Sequence, residues 1–184
     1  MALTQVASGL IASVAGSTIT GSQSVPKSTL PTGSVLQVVS TTKTDTFSTS
    51  STTFVDVTGY SVSITPTSVT SKILVICNIT ATAAGAVFSV QGRLVRGSTP
   101  IAIGDAAGSR TQASYMWEGA QEANFGISTT YLDSPATTSS TTYKIQIRTN
   151  NGAYTTYVNR ATTDVDSSAY ARTASTITVM EIAA

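Results

Sequence analysis

Thr142-Tyr-Lys-Ile-Gln-Ile-Arg-Thr149 places Tyr143, Ile145 and Ile147 on one side of an extended chain and Lys144, Gln146 and Arg148 on the other. Successive side chains of a strand point to opposite faces, so this stretch reads as a strand with one buried face. Asn150-Asn-Gly152 follows. Both residue types tolerate positive φ, and the spacing predicts a hairpin turn into a segment carrying Tyr154 and Tyr157. Upstream, Lys72 to Ala81 is apolar on both sides, with Ile73, Val75, Cys77 and Ile79 opposite Leu74 and Ile76. A strand of that kind belongs in the middle of a sandwich or at a subunit contact.

Further strands are expected at Ser34–Ser40, Thr53–Val57, Tyr60–Ile64 (after a break at Gly59) and Ser175–Ile182. Phe88, Val90 and Leu94 alternate in another, and Gly97-Ser-Thr-Pro100 turns it into a partner strand beginning at Ile101 and Ile103. Asp105–Thr111 reads as a loop, followed by an irregular stretch containing Tyr115, Trp117 and Phe125. The count is about eight to ten strands, the number for an all-β, antiparallel jelly-roll-like sandwich.

Composition agrees. About a third of the 184 residues are serine or threonine, and threonine suits pleated, half-buried surfaces. Charged residues make up 10%, against roughly 25% in ordinary soluble domains. Ten basic and nine acidic residues are scattered singly, giving a net charge of +1 and no basic surface for direct nucleic-acid binding. No apolar run approaches the ~20 residues of a membrane span, so membrane insertion is not expected. So few charges, with a mean hydropathy of +0.17, suggest a surface partly covered by other chains.

Residues 1–32 differ from the rest. Met1–Pro26 carries no charge, and Leu3, Val6, Leu10, Ile11 and Val14 recur at helical spacing, interrupted by Gly9 and Gly16. Two readings stand: a disordered leader, or an extended or partly helical attachment arm that orders against a partner. The apolar stripe favours the arm, with those five residues as its partner-binding set. The first basic residue is Lys27, so a secretory signal is not expected. Residues 33–184 form the head domain.

Several phrases of the head resemble one group of proteins. Gly33-Ser-Val-Leu-Gln-Val-Val39, Thr53-Phe-Val-Asp-Val-Thr-Gly59, Ser71-Lys-Ile-Leu-Val75 and Ile101-Ala-Ile-Gly-Asp-Ala-Ala-Gly-Ser-Arg110 are four of them. Tyr131-Leu-Asp-Ser-Pro135, Thr142-Tyr-Lys-Ile-Gln146, Ala169-Tyr-Ala-Arg172 and Ser175-Thr-Ile-Thr-Val-Met-Glu-Ile182 are the others. They resemble virion structural proteins of tailed bacteriophages of the cyanophage and marine-phage type, commonly labelled tail fibre. The resemblance implies a jelly-roll head that forms homotrimers on the virion surface, attached by its N-terminal segment to tail or major capsid protein. A short tail-fibre or tail-tip role, with host-surface polysaccharide as a partner, follows from the usual label. The absence of a shaft before the head points instead to a capsid decoration (cement) protein, and a carbohydrate-binding module is a third reading.

Catalytic chemistry finds little to work with. Without histidine there is no imidazole base and no histidine zinc ligand, and no catalytic residue, cofactor or metal is expected. Cys77 stands alone in an apolar run, as a buried and inert thiol would. Asn78-Ile-Thr80 matches a glycosylation sequon inside a core strand and reads as accidental. Glycan-cleaving proteins use a carboxylate pair at fixed separation. Asp164 and Asp166 share a strand face only if extended and read as solvated turn residues; Glu118 and Glu122 flank Trp117 and read as a surface loop. Gly104–Gly108 has one carboxylate, Asp105, too few for a calcium loop, and Arg110 stands ready to pair with it. Tyr115, Trp117, Phe125, Tyr131, Tyr154 and Tyr157 read mainly as core or intersubunit packing. Trp117 alone is named as a candidate glycan contact.

Overall fold

The computed structural model describes residues 26–27, 30–84, 89–118 and 124–184. The arm residues Leu3, Val6, Leu10, Ile11 and Val14, with Phe88 and Glu122, lie outside them. By its contacts the chain divides into two units, Met1–Leu30 and Pro31–Ala184. Alternating burial runs through almost every element of the second unit, and two antiparallel sheets face each other across the core it creates.

The first sheet contains β1 (Val35–Lys43), β4 (Lys72–Ala83), β8 (Phe125–Asp133) and β11 (Ser175–Ile182), with the short β2 (Phe47–Thr49) and β10 (Thr156–Val158). The second contains β3 (Val55–Ile64), β5 (Ser89–Arg96), β9 (Thr141–Thr149) and the short β6 (Thr99–Ile101) and β7 (Tyr115–Glu118). Across the sheets run the pairs β1·β11, β3·β9, β4·β8 and β5·β7, each nested inside the one before. Nested antiparallel pairs dealt alternately to two sheets are the connectivity of a jelly roll. The antiparallel all-β sandwich expected of the head is the fold observed; the expected arm lies outside the described residues.

The core comes from the inward parity of each strand. Ile73, Val75, Cys77 and Ile79 of β4 and Ile177 and Val179 of β11 meet Val90 and Leu94 of β5 and Tyr143, Ile145 and Ile147 of β9, all of them buried. Full burial of one such side chain contributes roughly 1.5–3 kcal/mol. Polar groups bridge the layers as well. The Tyr60 hydroxyl, on β3, reaches the carbonyls of Asn78 (2.9 Å) and Thr176 (2.8 Å) in the opposite sheet. From β9 the Tyr143 hydroxyl donates to Asp133 of β8 at 2.7 Å, and Arg96 of β5 donates to both oxygens of the same carboxylate. Burial raises both phenols well above their ordinary range.

Four local expectations are corrected. The two strands on either side of Gly59 are one strand, β3, whose register breaks between Asp56 and Ser61; Gly59, at φ +77°, takes up the irregularity as a bulge. The turn at Asn150–Gly152 does not make a hairpin. Both edges of β9 are occupied, by β3 and β5, so the chain crosses to the other sheet and β10 pairs with β4 and β2. The stretch read as irregular yields β7 and all nine residues of β8. Asp105 and Arg110 form no ion pair; the Arg110 guanidinium instead donates to the Ala107 carbonyl.

Candidate functional site

The outward faces of the two sheets differ, and the difference begins in the register. On the second sheet, Asp56, Gln146 and Arg93 stand in one transverse row. Gln146 donates to Asp56 at 2.7 Å and accepts from Arg93 at 2.8 Å, while Lys144 pairs with Asp56 at 2.7 Å. The Arg93 guanidinium also lies 4.1 Å from the Phe54 ring centre. Desolvation pushes the Asp56 carboxyl up, but the bonds from Lys144 and Gln146 outweigh it and hold its pKa below the usual range. Such a face suits water.

On the first sheet the matching row reads Val38, Met180, Leu74, Leu132, from β1 through β11 and β4 to β8. Val38 is 55% exposed and Leu132 54%. Beyond it lies Val35 against Ile182 and Lys72; on the other side come Ser40, Thr178, Ile76 and Thr130, then Thr42, Thr176, Asn78 and Ser128. Lys72 is the one charged residue in these rows, and its ammonium donates to Ser134 at 2.8 Å. Strands about 4.8 Å apart and same-face rows about 6.8 Å apart give this sparsely charged face an extent of roughly 20 by 20 Å.

Trp117 is 9% exposed and belongs to the core, its ring centre 5.7 Å from that of Tyr115. An open ring face, which stacking on a sugar needs, is absent there, and its burial argues for core filling. Glu118 is exposed on β7. Cys77 is buried, and desolvation pushes its thiol up to about 12. Asp164 is no free turn residue, because Arg160 and Arg172 both pair with it. Neither arginine was singled out by the sequence, since only the fold brings residues 160 and 172 together as an antiparallel bridge. Among the described residues no three His, Cys, Asp or Glu side chains gather as a metal-ligand group, and no helix is long and apolar enough to cross a membrane.

No protein-family model matches the chain, and no curated protein matches it.

Proposed function

We propose that this chain is a non-enzymatic structural protein of a tailed-phage virion, a trimeric jelly-roll head attached to the particle by its N-terminal arm, in a short tail fibre or tail tip. The resemblance of the phrases between Gly33 and Ile182 supports the virion context. The observation that carries the structural role is the outward face of the first sheet. On the outward rows of the first sheet Lys72 is the one charge among apolar, hydroxyl and amide side chains, whereas the second sheet presents Asp56, Arg93 and Lys144 side by side. Apolar surface of that kind gains by being covered.

Its size sets the strength of the contact. Two faces of about 400 Å² each fall short of the ~1,200 Å² at which stable pairwise interfaces begin. Copies in dilute solution therefore associate weakly, and copies tethered side by side on a particle associate firmly, because tethering replaces free concentration with a much higher local one. The test is the mass distribution of the full chain against concentration, by light scattering and native mass spectrometry. Concentration-dependent trimers are expected, with Leu132→Lys shifting them to monomers while leaving the circular-dichroism spectrum and melting temperature unchanged. A wild-type chain that stays monomeric throughout, or a Leu132→Lys variant that assembles like wild type, rejects the reading. Copy number per particle then separates a tail component, present in few copies, from a capsid decoration, present in very many.

A further inference from the structure

The connection between β10 and β11 concentrates charge in a chain that has little. Arg160, Asp164, Asp166 and Arg172 fall within thirteen residues. Asp164 bridges the two arginines, Arg160 at 3.2 Å and Arg172 closer still. Arg160 also donates to the carbonyls of Ala161 (3.0 Å) and Thr162 (2.8 Å) and covers the Tyr157 ring at 4.4 Å. The base of the loop is fastened by Asn159, fully buried and at φ +61°. Its side-chain amide donates to the carbonyls of Lys43 (2.9 Å) and Asp45 (3.0 Å) and accepts from the Ser175 hydroxyl at 2.6 Å. Two arginines and a buried asparagine holding one surface loop make it preorganised.

What the loop encloses is a pocket of about 360 Å³, lined among others by Asp164, Asp166, Ser167, Tyr170 and Arg172. That lies at the lower end of ligand-site volumes and accommodates one or two sugar rings. The charges lining and bracing it sum to zero, two guanidinium and two carboxylate groups, which disfavours phosphate and other strongly charged ligands. A cation finds only two carboxylates, one of them already covered by both arginines. The Asp166 carboxylate makes no ion pair or hydrogen bond to another described residue, so its oxygens are open as acceptors.

We propose that the β10–β11 pocket binds a neutral pyranose of a surface glycan, with the Asp166 carboxylate accepting from two vicinal hydroxyls, Arg172 donating to a ring or hydroxyl oxygen, and the half-buried Tyr170 ring packing against the C–H face of the sugar. A carboxylate matches the spacing of a vicinal diol, and a guanidinium supplies the complementary donors. An aromatic ring adds apolar contact without demanding charge. Val165, 56% exposed on the pocket wall, extends that apolar contact. The inference goes beyond assembly, since the pocket shares no residue with the sparsely charged face of the first sheet.

The full chain is tested on an array of neutral and acidic glycans, and the best-bound neutral monosaccharide is then titrated by saturation-transfer NMR. Asp166→Asn and Tyr170→Ala should each weaken binding about tenfold or more, equivalent to about 1.4 kcal/mol. Tyr170→Phe should stay within about twofold, because the ring and not the hydroxyl makes the contact. All three variants should assemble like wild type. Failure of the wild-type chain to bind any neutral glycan, binding confined to acidic glycans, or unchanged binding by both Asp166→Asn and Tyr170→Ala overturns the proposal. Assembly measured on the same samples shows separately whether the reading of the first sheet's outward face stands.

Discussion

Glu181 is the residue on which the end of the sandwich near the β3–β4 loop depends, and its removal tests the energetic picture most directly. It occupies an inward position of β11 and is fully buried. Its carboxylate accepts from Gln37 Nε2 (2.6 Å), the Thr67 N–H (2.6 Å), the Thr67 hydroxyl (2.7 Å) and the Ser71 hydroxyl (2.7 Å). These bonds tie β1 and the β3–β4 loop to the last strand. Hydrogen bonds to a charged group contribute roughly 1.5–3 kcal/mol each, while desolvating the carboxylate costs several kcal/mol. The difference, with four donors losing their acceptor in Glu181→Ala, puts the destabilisation at about 3–4 kcal/mol. In a domain of this size that lowers Tm by about 10 °C.

The same residue should leave a signature in pH. Burial raises its pKa, but the bonds from Thr67, Ser71 and Gln37 outweigh burial and leave it lowered. A depressed folded-state pKa means stability that is fully present above the unfolded value, about 4.3, and lost as pH falls through the lower folded value. Denaturant titrations of wild type and Glu181→Gln, which conserves volume, isolate the effect, because Asp45 and Asp56, also lowered, contribute equally to both proteins. The gap in unfolding free energy should be about 2–3 kcal/mol near neutral pH and close progressively below about pH 4. A gap under about 0.5 kcal/mol at neutral pH, or one that stays constant into acid, would refute the reasoning.

Two further outcomes probe the core. A Cβ on Gly92 would stand 2.0 Å from the Tyr115 ring, so Gly92→Ala should cost about 1–3 kcal/mol, and pairing it with Tyr115→Ala should return part of that loss in a double-mutant cycle; additive effects would mean the ring is not the obstacle. Cys77, buried and with its thiol pushed up to about 12, should resist alkylation in the native protein and react with one equivalent of reagent after unfolding; native labelling at the rate of a free thiol would contradict its placement.

Strands whose inward residues are large and apolar were legible in the sequence. Thr141–Thr149 and Ser175–Ile182 alternate so plainly that only their ends were in question. β8 escaped because its inward positions include Thr129 and Asp133 and its outward ones Gly126, Ser128 and Thr130, a sequence without hydrophobic contrast. It is a strand because β4 offers it a full edge from Ile73 to Ala81, and that offer is nonlocal. The Asn150–Gly152 turn failed as a hairpin for the same reason: turn chemistry specifies a reversal, whereas sheet membership depends on which edges are already taken. The apolar outward face of the first sheet was partly visible in the doubly apolar run from Lys72 to Ala81. The pocket was not, since it needs Arg160 and Arg172 side by side.

A sheet that is apolar on both sides carries a hazard that the interior polar groups answer. Side chains alternate with period two, so a one-residue slip exchanges the faces of a strand, and in β4 and the end of β11 either face would be acceptable to a hydrophobic core. Slipping β11 would bury Met180 in place of Val179 at little cost in apolar area. The same slip would drag Glu181 away from Gln37, Thr67 and Ser71, and would carry the Thr176 carbonyl away from the Tyr60 hydroxyl. Slipping β8 would take Asp133 from Tyr143 and Arg96. Breaking a buried charged network costs about 3–5 kcal/mol, more than the apolar area at stake in a single slip. The buried polar groups thus select the register that hydrophobicity alone leaves open, and this allows the outward row from Val38 to Leu132 to stay apolar without the strands losing track of which side is in.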